Sequence, residues 1–295
     1  VVEGASRRRG QSIRLFLGTA LATLIAGTAL AADPPPDKSG YTIFDPPPDD
    51  ALRSLNSDRP GQGQSPNTVD AGHVQLEIGV LTDTFDRDNG VSTRLSQFGS
   101  YLIKLGITND AEIEFGLTPY ASQRVTDRTI GQTDIAHGIG DSSVAARFNL
   151  LGNDSGDVVI AILPALKLPT AAQGLGNNGV EFSLGLPINI MTPDGWVLAA
   201  QPGTGWFRDA LDTGYHANFV GSASLKHPVF TDDFAVALEL FGVISGDHAE
   251  PDYFTLDPSA TWMVTPTVQL DLGVDIGLNR AAPDTMPYIG ISFLF

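Results

Sequence analysis

Eleven charged residues occupy alternate positions in stretches that otherwise read as apolar or small: Glu77, Lys104, Glu112, Glu114, Arg147, Lys167, Glu181, Lys226, Glu239, Asp271 and Asp275. Side chains of an extended chain alternate with a period of two, so each charge shares a face with polar neighbours and leaves the other face aliphatic. Such a face can line a polar or selective passage for small solutes. Equally, its opposite charges can pair across strands and fill a narrow interior. The residues alone leave both readings open.

Catalytic chemistry has little to build on. The histidines, His73, His137, His216, His227 and His248, are scattered, and none stands in a His-x-Ser pair. No enzyme activity is expected. Gly174-Leu-Gly-Asn-Asn-Gly179 spells G-x-G-x-x-G, but it leads into a strand, whereas the dinucleotide fingerprint needs a strand before it and a helix after it. Asp86-Arg-Asp-Asn-Gly90 and Asp247-His-Ala-Glu-Pro-Asp252 offer hard oxygen ligands without a complete calcium-loop spacing, so solvated loops are the simpler reading. No catalytic residue, cofactor or metal is expected.

The elements that must position the charges are strands. Val268 to Leu278 places aliphatic residues at every even position, with Gln269, Asp271, Gly273, Asp275 and Gly277 between them. Tyr288 to Phe295 alternates again and ends on an aromatic, the pattern of a closing strand read by the barrel-insertion machinery of the outer membrane. Twelve strands are predicted, over 73–85, 94–107, 111–124, 141–151, 156–169, 180–191, 196–207, 215–229, 234–245, 253–264, 267–279 and 285–295. Short connections alternate with longer ones around 86–93, 125–140, 170–179, 208–214, 246–252 and 280–284. That alternation suits periplasmic turns and outer loops, with both termini in the periplasm. The fold class predicted is therefore all-β: a closed, antiparallel transmembrane β-barrel, its aliphatic face toward outer-membrane lipid. Aromatic girdles are expected at both rims, from residues including Phe148, Trp196 and Trp262 at one and Phe98, Tyr120, Trp206, Tyr215 and Tyr253 at the other. Pro119, Pro164, Pro169, Pro187 and Pro202 should mark bulges or strand ends, since a closed barrel has no free edge for a missing N–H.

The chain divides into three parts. Arg7, Arg8, Arg9 and Arg14 precede an uncharged run ending in Ala29-Leu30-Ala31, so residues 1–31 read as a cleaved signal peptide. Removing them moves the net charge from −17 to −20 by taking away four arginines and Glu3. An acidic chain with no basic block is not a nucleic-acid binder. The absence of cysteine fits export without a disulfide framework. Residues 32–70 form a Pro-rich periplasmic or lumen-docking segment, with Asp33-Pro-Pro-Pro-Asp37 recurring as Asp45-Pro-Pro-Pro-Asp49. Residues 71–295 form the barrel.

The mature chain resembles the bacterial family known as putative MetA-pathway phenol-degradation proteins. The likeness runs through Asp37-Lys-Ser-Gly-Tyr-Thr-Ile-Phe44, Ser57-Asp-Arg-Pro60, Val69-Asp-Ala-Gly-His-Val-Gln-Leu-Glu77, Gly138-Ile-Gly-Asp-Ser-Ser143, Leu163 to Thr170 and Ala282-Pro-Asp284. The resemblance implies an outer-membrane channel or transporter for passive uptake of a small molecule, aromatic or hydrophobic in character. A structural or surface-binding barrel with a blocked lumen is the second reading. Asp58, Arg59 and Pro60, just before the first strand, are hatch candidates. Arg59 is expected to reach Glu77 or Asp271, because the first and eleventh strands both start at the periplasmic end.

Overall fold

A computed structural model describes residues 37–209, 214–247 and 250–295. The signal peptide expected over residues 1–31 lies outside the described residues.

Fifteen strand segments follow one another: β1 (Val74–Asp88), β2 (Val91–Thr108), β3 (Ala111–Leu117), β4 (Tyr120–Asp127), β5 (Gln132–Gly138), β6 (Ser142–Leu151), β7 (Val158–Leu168), β8 (Glu181–Gly185), β9 (Ile188–Met191), β10 (Val197–Arg208), β11 (Tyr215–Pro228), β12 (Phe234–Ser245), β13 (Tyr253–Thr265), β14 (Val268–Gly277) and β15 (Thr285–Leu294). Three pairs are single strands broken once: β3 with β4, β5 with β6, and β8 with β9. The segments therefore make twelve spanning strands. Each pairs antiparallel with its neighbours, and β1 closes the circuit by pairing with both β15 and β2. Closure pairs the spanning part of the sheet all the way round, as a sheet surrounded by hydrocarbon requires, and leaves only β5, which pairs with β4 alone, as an edge beyond it.

Prolines mark two of the three breaks, while the one between β5 and β6 falls at Ile139-Gly-Asp141. Pro119 separates β3 from β4, Pro187 separates β8 from β9, and Pro169 follows the end of β7. Pro164 and Pro202 lie inside β7 and β10, but both face gaps in the ladder. The β6–β7 pairing skips from Ala145↔Ala165 to Phe148↔Ile162, and β10 changes partner from β9 to β8 between Ala200 and Gly203. A residue without an N–H is tolerated where the neighbouring strand asks for none.

Two connections differ from expectation. The stretch 86–93, predicted as a long loop, is a tight turn at Asn89-Gly90 between extended arms of β1 and β2. Most of 125–140 is strand as well, because β4 and β5 pair as a hairpin closed by residues 128–131. Polar residues dominate both arms, so period-two hydrophobicity is absent there and sequence patterning reads them as loop. The remaining connections keep the short–long alternation, which defines a turn end and a loop end of the barrel.

Burial is inverted relative to a water-soluble protein. Arg147, Lys104, Glu112 and Glu114 are at most 1% exposed, while Ile113, Leu238 and Leu272 are 47–57% exposed. A charge on the outer face near the bilayer midplane would cost roughly 2–4 kcal/mol for Arg or Lys, so the aliphatic face turns outward and the charges inward. Exposed Phe148, Trp196 and Trp262 ring the turn end, with Trp206 and Tyr215 toward the loop end. Tyr253, expected in the outer girdle, shares the inward face of β13 with buried Thr255 and Asp257.

Residues 37–73 belong to the same compact unit as the barrel. Only one 3-10 turn, Asp49–Ala51, forms in them. They touch the sheet through isolated bridges, Thr42↔Thr108 and Ala71↔Gly106, and through single backbone bonds such as Leu55 N–H to Pro266 O at 3.3 Å. They do not add a strand.

Candidate functional site

The lumen holds residues 57–70, secured from one wall to the other by hydrogen bonds and ion pairs. Asp58 is the hub on one side. Its carboxylate lies 2.7 Å from Lys104 Nζ of β2 and 2.7 Å from Arg147 Nη2 of β6, and it accepts the Ser65 N–H at 2.7 Å. Arg147 also meets Glu114 at 2.8 Å and Glu112 at 3.4 Å, and donates to the Asn67 carbonyl at 3.0 Å. Lys104 meets Glu77 at 2.6 Å. Burial pushes the Asp58 carboxyl up, but Arg147 and Lys104 outweigh it and hold the carboxyl at about 2. Asp58 therefore stays ionised between two cations that are themselves at most 1% exposed.

The next residue reaches along the wall, past β1 and β15, to β14. The Arg59 guanidinium donates from Nη2 at 2.8 Å and from Nε at 3.1 Å to Asp271 of β14. The backbone N–H groups of Asp58 and Arg59 both donate to Glu77, at 3.1 and 3.2 Å. Pro60 turns the chain toward β12. There Gln62 and Gly63 donate their N–H groups to Glu239 at 2.6 and 3.1 Å, and the Gln62 amide reaches Asp275 at 2.7 Å. A Cβ on Gly63 would collide with the Ser222 hydroxyl and the Glu239 carboxylate, so only glycine lets the backbone approach this closely. Gln64 N–H then bonds Gln201 of β10 at 2.7 Å, and Val69 N–H bonds Glu112 at 2.5 Å. The segment thus touches the wall on β1, β2, β3, β6, β10, β12, β14 and, through Ser57 and Ser292 at 2.9 Å, β15.

At the turn end, Lys38 and Arg53 bracket Asp70 and Asp154 with ion pairs of 2.7–3.1 Å. Asn153 donates to Thr68 Oγ1 and to the Asn109 carbonyl, tying the turns after β2 and β6 to the segment.

Of the eleven charges singled out by alternation, eight touch the segment or its hub: Glu77, Lys104, Glu112, Glu114, Arg147, Glu239, Asp271 and Asp275. Lys167 and Glu181 stand apart toward the loop end, paired at 3.1 Å, with Asp141 3.3 Å from Lys167. Lys226 lines two cavities at the turn side and makes no ion pair among the described residues. Sequence reasoning missed Asp257, 1% exposed and opposite Glu239 in register, as well as Lys38 and Arg53. The alternation Tyr253, Thr255, Asp257, Ser259, Thr261 within the predicted strand 253–264 carried the signal for Asp257.

Space remains around the segment. A cavity of about 300 Å³ lies against β10–β12, lined by Gln201, Ser222, Lys226 and Glu239. Another, of about 330 Å³, lies toward Tyr101, Thr118 and Asp141. Phe241 and Tyr253 meet in a tilted arrangement with ring centroids 5.9 Å apart on the inward faces of β12 and β13, and the Arg59 guanidinium stands 5.9 Å from the Tyr288 ring.

A closed antiparallel barrel with outward aliphatic residues and a charged interior is the architecture of bacterial outer-membrane channels. The model of the family described as "Putative MetA-pathway of phenol degradation" matches residues 57–295, and the chain belongs to that family. Among solved structures, the COG4313 outer-membrane channel from Pseudomonas putida F1 is similar, with a TM-score of 0.57 and 13% identity over 76% of this chain and 95% of that one. The NanC porin matches with a TM-score of 0.47 and 9% identity over 75% and 98% of the two chains. No curated protein matches.

Proposed function

We propose that the protein is a channel of the bacterial outer membrane for passive uptake of a small solute, and that residues 57–70, with Asp58, Arg59 and Pro60 at their centre, act as its hatch. The observation carrying this reading is the way the segment is held. It spans the lumen through side-chain ion pairs and single hydrogen bonds, with cavities beside it, and shares no strand ladder with the wall. Contacts of this kind break one at a time, whereas a ladder breaks cooperatively. An aromatic or hydrophobic solute is supported by the family description and by the inward-facing Phe241, Tyr253 and Tyr288, whose faces suit stacking.

The test is solute entry into proteoliposomes holding the full-length barrel. Phenol-sized aromatic solutes should enter faster than neutral sugars of similar mass. Equal rates for both would remove the aromatic reading, and no entry above protein-free liposomes would remove passive uptake. The second reading, a structural barrel with a permanently filled lumen, draws on the Asp58 hub, where two buried cations, Lys104 and Arg147, are bracketed by the carboxylates of Asp58, Glu77, Glu112 and Glu114. It predicts no entry even after the segment is deleted.

A further inference from the structure

Away from residues 57–70, four residues converge at the loop end. Asp209 follows β10, His216 lies in the second position of β11, and Asp247 and Glu250 belong to the connection between β12 and β13. One potential ligand atom from each lies within 4.8 Å of all the others. The His216 side chain is only 8% exposed. Its Nδ1 stands 2.6 Å from Asp209 Oδ1 and its Nε2 3.4 Å from Glu250 Oε2. Nε2 is shut off from solvent and has no hydrogen-bond partner among the described residues.

We propose that His216, Asp247 and Glu250 form a divalent transition-metal site of the zinc type, with Asp209 as the residue that orients the imidazole. An Nδ1–H donated to a carboxylate fixes the tautomer and leaves the Nε2 lone pair for a metal, the arrangement that accompanies most metal-bound histidines. Two ligands about 2.1 Å from a tetrahedral ion stand about 3.4 Å apart, which is the spacing of Nε2 and the Glu250 oxygen. One imidazole among carboxylates suits Zn²⁺, whereas Ca²⁺ takes oxygen alone. Three protein ligands leave the fourth position to water. His216 comes from the start of β11 and the two carboxylates from the β12–β13 connection, so an ion held here ties these two elements together.

A protonated His216 could sit between the same carboxylates with no ion, and the experiment separates the two. Untagged full-length protein, folded in detergent, is titrated with Zn²⁺ and, in parallel, Ca²⁺ by calorimetry. The expected result is one Zn²⁺ per chain, abolished in His216→Ala and weakened roughly 10–100-fold in Asp209→Asn, where only the orienting partner changes. Asp247→Asn serves as a second ligand variant should His216→Ala fail to fold, as judged by heat-dependent gel mobility. Absence of saturable Zn²⁺ binding would overturn the site, as would binding undiminished in a folded ligand variant or Ca²⁺ preferred over Zn²⁺.

Discussion

Arg59 and Asp271 meet at 2.8 Å across 212 residues of sequence, and the guanidinium lies where the wall has no side chain. Gly79 and Gly290, paired across β1 and β15, form the slot. A Cβ at Gly290 would collide with the guanidinium, and one at Gly79 would stand 3.1 Å from its Nη1. Arg59 thus fills a recess that two glycines of the wall leave open.

Removing the arginine should loosen the segment. Arg59→Ala leaves Asp271, 3% exposed, without its cation. Losing one partner of a buried pair costs about 3–5 kcal/mol, and the 20% exposure of Arg59 places this pair toward or below the low end. Protease cleavage within residues 57–70 should become faster in the folded barrel, and Asp271→Asn in the same chain should restore part of the protection. Unchanged cleavage would show that the pair does not hold the segment.

The slot can be closed without touching any charge. Gly290→Leu should displace the guanidinium and raise cleavage in the same region, while β-sheet content and heat-dependent mobility stay as in the parent. A protected segment in this variant would contradict the packing described.

The Asp58 contacts should tolerate mild acid. The carboxyl sits near 2 in the folded chain against an ordinary value of 3.8. A lowered value means that its stabilising contribution is complete above about pH 4 and is lost as pH falls through 2. Asp58→Asn should therefore make the segment more protease-sensitive at neutral pH, and the gap between it and the parent should narrow only below about pH 4. A gap that closes between pH 5 and 7 would point to another group.

Lys226 lines the cavities at the turn side without an ion pair among the described residues. Lys226→Gln should shift the reversal potential under a salt gradient toward cations, by more than Lys167→Gln does at the loop end. Equal shifts would mean that neither side sets selectivity.

Much of this was legible in the sequence, because lipid imposes a strict rule. Alternation around Glu112, Glu114, Asp271 and Asp275 gave the inner face, and counting connections placed the starts of the first and eleventh strands at the same end as the segment. What patterning could not supply was register. The pairing of Asp257 with Glu239 and the matching of Pro164 and Pro202 to ladder gaps both depend on how strands slide past one another. The polar arms formed by β1–β2 and β4–β5 were unreadable for a different reason: above the bilayer no lipid selects for an aliphatic face. The His216 cluster was hidden because its members come from two connections 30 or more positions apart.

The central claim is that residues 57–70 close the lumen, and single-channel recording tests it most directly. A chain lacking residues 33–66, with the signal region and all strands retained, should fold normally and conduct more in planar bilayers than the parent, with faster entry of small solutes. Equal conductance from a correctly assembled deletion would contradict the account.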